Sequence, residues 1–230
     1  MRKLALTAAL ATIALLSASP ARADLLLRLT DGTTTVTIAD GGAGDSNPLA
    51  GVITFIGSVG TWMTNVSTGF GSGAPNFTAG HLDLNSANTN TDGPGQLDIL
   101  LTETNLTAPF NSFTMNFGET LSGTAGSTVD YRAWRDAGNG QFTQNVGLIG
   151  LLGPFGLGAN SGSITGTVAG GTPYSLTERI RIAATGAVQF SGDAELLPAV
   201  PEPGTLTLLG TGLLGLARAA RRRSRKEPLA

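Results

Sequence analysis

The chain has 230 residues, of which 33 are Gly, 13% are charged and none is Cys. A formal net charge of −2 is too small for self-repulsion to keep the chain unfolded, and much Gly with few charges argues against a coiled coil. Without Cys there is no disulfide framework, thiolate nucleophile or Cys-based zinc or iron–sulfur site, and a single His excludes most His-ligated metal centres.

Residues 1–23 read as a secretory signal. Arg2 and Lys3 form its positive end, and Leu4 to Leu16 is an apolar signal helix too short to span a membrane comfortably. Ala21 and Ala23 then place small side chains at the two positions that a signal peptidase reads. Cleavage there starts the mature chain at Asp24, and the export machinery delivers the domain behind it to the far side of the membrane.

Residues 24–197 read as one ectodomain. Five arginines (Arg28, Arg132, Arg135, Arg179 and Arg181) stand against fourteen carboxylates with no Lys, a net charge of −9. Such a surface repels phosphate backbones, which excludes nucleic acid as a partner. Thr33–Ile38 is β-branched at every position, and Val52–Ile56, Leu97–Leu101, Phe113–Phe117 and Val129–Ala133 are similar short runs. Tyr174, Leu176, Ile180 and Ile182 alternate with polar residues, the period of a half-buried strand. Glu178 falls on the apolar side of that alternation, which predicts a bulge or a strand end. A last strand runs from Val188 toward Leu196. Clusters of Gly, Asn, Asp and Ser at 40–48, 69–76 and 85–95 supply turns. Many short strands with Gly-rich turns predict an all-β fold, an antiparallel β-sandwich or jelly roll.

Three segments of the ectodomain could carry chemistry. His81 could act as a general base, but no G-x-S-x-G elbow accompanies it, so a structural His is the better reading and no catalytic residue is assigned. Asn88-Thr89-Asn90-Thr91-Asp92-Gly93 looks like the first half of a calcium loop, yet Ile99 occupies the position of the closing Glu. A turn-rich loop fits better, leaving metal and cofactor residues unassigned; the loop at 40–47 is equally ambiguous. In an extended 129–136, Asp130, Arg132, Trp134 and Asp136 share one face. An aromatic plate among hydrogen-bonding charges suits a sugar ring, so Trp134, Arg132 and Asp130 form a speculative carbohydrate site. The bland alternative is a strand whose Trp covers a neighbouring hairpin.

Residues 198–204 are a Pro-rich linker, 205–220 a short transmembrane helix and 221–230 a basic cytoplasmic tail. The uncharged core of that helix, 206–217, covers only about 18 Å at about 1.5 Å per residue, against a hydrocarbon core of about 30 Å. Extending it over 204–220 with Arg218 snorkelling reaches about 26 Å, a marginal span suited to a transient state. Arg218, Arg221, Arg222 and Arg223 act as a stop-transfer signal that stays in the cytoplasm. Gly210, Gly212 and Gly215 spell a dinucleotide fingerprint, but outside any βαβ unit it carries no meaning.

Pro201-Glu202-Pro203, then a short Leu/Gly-rich helix, then an Arg cluster, resembles the PEP-CTERM sorting signal of Gram-negative bacteria over about residues 200–223. The resemblance implies recognition by a membrane-embedded exosortase that removes the tail near the motif. It also implies association with extracellular polysaccharide and biofilm matrix. Arg218 interrupts the apolar stretch early, and 224–230 runs past the usual Arg-rich end. The expected protein is therefore exported, held transiently in the inner membrane by its C-terminal helix, and then structural or adhesive at the cell surface or in the matrix. A secreted carbohydrate-binding module is the alternative, and a secreted hydrolase a more distant one.

Overall fold

Alternation of buried and outward side chains organises nearly every strand. The first, β1 (Leu25–Thr30), buries Leu25, Leu27 and Leu29 and turns Leu26, Arg28 and Thr30 outward. It forms a hairpin with β2 (Thr35–Ala39), closed by Asp31, whose Oδ1 accepts the Thr33 and Thr34 amides. The chain continues through β3 (Val52–Val59), β4 (Trp62–Phe70), β5 (Leu82–Thr91), β6 (Gly95–Leu106), β7 (Ser112–Gly123) and β8 (Thr128–Asp136). It ends with β9 (Leu148–Phe155), β10 (Gly158–Thr167), β11 (Tyr174–Ala184) and β12 (Val188–Pro198). The computed structural model describes residues 24–199, apart from the side chains of Ser67 and Thr68, together with 211–213 and 218.

The strands form two six-stranded antiparallel sheets, a β-sandwich as expected. The first runs β2-β1-β6-β11-β8-β9 and the second β10-β7-β12-β5-β4-β3. Most neighbours in each sheet are distant in sequence, because the chain crosses between sheets after β2, β5, β6, β7, β9, β10 and β11. One continuous core fills the interior, with Leu27, Leu29, Leu101 and Ile180 from the first sheet and Trp62, Leu84, Phe113 and Leu196 from the second. The core is contained within residues 25–196, so the sandwich is a self-contained folding unit. The chain divides into two compact units between Pro198 and Ala199. In the second unit, 211–213 and 218 are helical and exposed. No helix among the described residues is long and apolar enough to cross a membrane.

Two expectations are corrected here. Only 92–94 of the 85–95 cluster form a turn: β5 continues to Thr91, with Ala87, Thr89 and Thr91 turned inward and Asn88 and Asn90 outward. An irregularity opposite Gly192–Ala194, with Ser86 at φ 52°, keeps that alternation in phase with Leu82 and Leu84. Glu178 neither bulges nor ends β11. It sits in regular register with Ala133 and Leu101, fully buried, while the register shift of β11 lies between Tyr174 and Leu176. A hydrogen bond from the Tyr131 hydroxyl to its Oε2 satisfies one oxygen of the buried carboxyl.

Candidate binding groove on the second sheet

The sandwich has two outer faces, and they differ. On the first sheet, β8 turns Asp130, Arg132 and Trp134 outward together, as the alternation predicts. Asp130 Oδ1 accepts from Arg132 Nε and Arg179 Nη2, each at 3.0 Å. Trp134, however, is only 4% exposed, and the Arg179 guanidinium lies 5.3 Å from its ring centroid. The β8–β9 loop folds back over this face. Phe142 N donates to Thr102 Oγ1, Gln144 Oε1 accepts from Arg179 Nη1, and Ser175 Oγ donates to the Gly140 carbonyl. Arg28 stacks on Phe142 at 3.8 Å. The expectation of an open sugar plate at Trp134 is corrected: its ring belongs to a small secondary core. Trp62, at 1% exposure, lies in the main core.

The outer face of the second sheet is open. One row of side chains crosses five strands, from Ser58 (β3) through Met63 (β4), Asn90 (β5) and Gln189 (β12) to Ser122 (β7). A second row runs in register beside it: Ile56, Asn65, Asn88, Ser191 and Thr120. Together they line a groove of about 740 Å³ with no ionisable side chain on its walls. Ile56 and Met63 are 71% and 65% exposed at its β3–β4 end. Among the described residues, the amides of Asn90 and Gln189 have no hydrogen-bond partner, while Asn88 Nδ2 donates to the Ser86 carbonyl. Sequence reading missed this groove. Its local trace is a pair of i, i+2 polar residues on two strands, Asn88 with Asn90 and Gln189 with Ser191, each interleaved with an inward residue.

Beyond the groove on the same face lies a smaller recess of about 400 Å³ lined by Asp83, Asn85, Asn116, Asp193 and Glu195. Burial, then the carboxylates of Glu195 and Asp193, push Asp83 up to about 7. His81 borders this cluster, with Nε2 3.0 Å from Glu195 Oε1 and its ring stacked 4.2 Å from Phe77. Burial lowers its pKa, and the neighbouring Glu195 acts in the opposite sense. These contacts make His81 an anchor between the 71–81 segment and β12.

The calcium-loop pattern is corrected by the course of β5. Asn88–Thr91 are the end of an extended strand, so this stretch does not wrap around an ion as a calcium loop does. In the 40–47 loop the carboxylates cap backbone amides: Asp45 holds Gly41, Asn47 and Thr54, and Asp40 holds Gly51. Among the described residues, no group of three or more Asp, Glu and His is arranged to hold a metal ion. Ala21, Ala23, Pro201, Glu202, Pro203, Arg221, Arg222 and Arg223 lie outside the described residues, as do the signal and most of the tail helix.

The molecule is thus an all-β sandwich with an uncharged groove on one outer face. Its C-terminal region carries the PEP-CTERM protein-sorting motif, matched over residues 199–223, which marks an exported, surface-sorted protein. No curated protein matches the chain in sequence. Among solved structures, the sandwich is similar to the N-terminal cellulose-binding domain of Cellulomonas fimi β-1,4-glucanase C, at 14% identity and a TM-score of 0.35, covering 68% of this chain and 99% of that one. It is also similar to a carbohydrate-binding module, TmCBM61, solved with β-1,4-galactotriose, at 11% identity and a TM-score of 0.35 over 49% and 70% of the two chains. An adhesin domain of Lys-gingipain from Porphyromonas gingivalis gives 9% identity and a TM-score of 0.31 over 49% and 73%.

Proposed function

We propose that the chain is an exosortase-processed surface or matrix protein whose sandwich binds a neutral polysaccharide along the outer face of the second sheet. The uncharged, amide-lined groove carries this reading. A sugar ring offers hydroxyls that pair with amides and an apolar C–H face that packs on aliphatic side chains. The groove supplies amides at Asn65, Asn88, Asn90 and Gln189, hydroxyls at Thr120, Ser122 and Ser191, and apolar surface at Met63 and Ile56. A domain of charge −9 repels uronate-, sulfate- or phosphate-bearing polymers, which selects for a neutral glycan. In this reading a signal peptidase cuts after Ala23 and an exosortase acts at Pro201-Glu202-Pro203. Arg218 and Arg221–Arg223 hold the tail in the cytoplasmic leaflet until it is removed.

The test is affinity electrophoresis of residues 24–198 through gels cast with neutral glucans or galactans, or with a polyuronate. Neutral polymer retards the wild-type domain, the polyuronate does not, and the triple variant N88A/N90A/Q189A migrates unretarded. Equal retardation of the triple variant, or none of the wild type by any neutral polymer, overturns the proposal.

A further inference from the structure

The groove on the second sheet repeats one unit five times. Each of β3, β4, β5, β12 and β7 contributes two outward side chains, at positions i and i+2, to the two rows that line it. Register is unbroken along both rows, because the shifts at Ile53/Phe55 and Gly192/Ala194 lie outside them. Neighbouring strands lie about 4.8 Å apart and alternate residues of one strand about 7 Å apart, so the groove runs about 19 Å across the strands and is one side-chain pair wide. At its centre the amides of Asn90 and Gln189, both without a protein partner, stand directly opposite each other.

We propose, resting on the polysaccharide reading above, that the groove has five subsites, one pyranose ring to a strand, and takes an internal run of a single extended, equatorially linked chain. Strand spacing selects this class of ligand. An equatorially linked pyranose chain advances by close to one strand spacing per ring, so successive rings meet successive side-chain pairs in the same relation. An axially linked chain coils, and its rings leave the rows after a strand or two. A volume of about 740 Å³ is on the scale of an oligosaccharide rather than of one sugar. Twist separates a single chain from a crystalline bundle. Neighbouring strands are rotated by about 20–25°, so the pairs turn through about 80–100° from β3 to β7, and a flat crystal face cannot follow them. The one aromatic residue in the lining, Phe190, is only 3% exposed, so no plate is offered for stacking on such a face. At one end β3 is the edge of the sheet, and at the other Thr120 is followed by the small Ala159, so a polymer runs on past both ends.

Titration calorimetry of residues 24–198 tests this, with β-1,4-linked gluco- and galacto-oligosaccharides of two to six rings and the α-1,4-linked gluco-series. In the β-linked series whose polymer retards the domain, affinity rises by about two- to tenfold per ring up to the fifth and not at the sixth. The α-linked series gains nothing with length. T120A/S122A strips the exposed pair from β7; it loses the gain of the fifth ring and keeps four-ring affinity within about twofold. Affinity complete at two or three rings, equal binding of the α-linked series, or a T120A/S122A domain weakened alike at every length overturns the assignment of one ring to a strand and leaves polysaccharide binding standing. A wild-type domain that engages neither these fragments nor any neutral polymer overturns both.

Discussion

The Tyr131 hydroxyl donates to Glu178 Oε2 across 2.8 Å inside the sandwich, where both side chains are fully buried. Burial drives Glu178 far above the usual carboxylate range, with the Tyr131 hydrogen bond acting against it and the charges of Asp83 and Glu195 adding to it. This buried carboxyl is a polar graft in an apolar layer, held by one strong partner. Tyr131→Phe removes that partner and leaves a buried acceptor unsatisfied, at a cost of about 1–3 kcal/mol. Glu178→Gln keeps an acceptor for the Tyr131 hydroxyl, alters the Oε1 position that has no partner already, and costs less. Chemical denaturation of the two variants at neutral pH checks the order; a Tyr131→Phe domain as stable as Glu178→Gln would contradict it.

A second consequence concerns pH. Asp83 sits directly opposite Glu195 between β5 and β12, and its pKa rises from 3.8 to about 7, through burial first and then Glu195 and Asp193. A carboxyl that holds its proton more tightly when folded makes the unfolded state bind fewer protons between the two values. Stability through this group is therefore full below about pH 4 and falls as pH rises toward about 7. His81 works in the opposite sense, because its lowered pKa costs stability as pH falls through 6.5 and below. Asp83→Asn separates the two. Thermal melts from mildly acidic to mildly alkaline pH should give a melting temperature that declines less with pH in the variant. The variant should also melt above wild type on the alkaline side, and a wild-type slope unchanged by the substitution would exclude Asp83 as its source.

Strands rich in β-branched and aromatic residues, such as Phe113–Phe117 and Tyr174–Ile182, were legible because side-chain type and period agree there. β5 was not, because Asn88, Thr89, Asn90 and Thr91 favour turns by residue type, and only their alternate burial reveals a strand. β10, GANSGSITGT, hides for the same reason. The groove could not be read locally at all. Its walls come from residues 56 to 191, and they meet only because β12 lies between β7 and β5. Trp134 shows the converse: its face was deduced correctly from period two, but the loop that covers that face returns from 137–147, and no local pattern announces it.

Burial and groove position make opposite demands on two sets of side chains. Trp134→Ala opens the secondary core beneath the β8–β9 loop and should cost about 3–5 kcal/mol. At temperatures well below its melting point it should still be retarded by neutral polysaccharide. N90A/Q189A should do the reverse, because neither amide has a protein partner to lose, so stability changes by no more than about 0.5 kcal/mol. Its retardation should fall sharply. Parallel melts and affinity gels on the two variants decide the matter; weakened glycan retention in folded Trp134→Ala would return the site to the first sheet.

The sorting tail makes its own prediction from backbone chemistry. Pro201 and Pro203 each fix φ near −65° and lack an amide hydrogen, and each disfavours helical geometry in the residue before it. On sequence grounds Pro201-Glu202-Pro203 therefore favours an extended backbone over a helical one, with Glu202 its single charge. That is a suitable form for an enzyme to take as substrate next to a membrane. Replacing the three residues by Ala removes both the stiffness and the charge and extends helix-forming sequence upstream. In the native host the variant should keep its tail, remain in the membrane fraction and run heavier than the processed wild type. Equal mass and equal release would mean that recognition rests on the arginines and the apolar stretch instead.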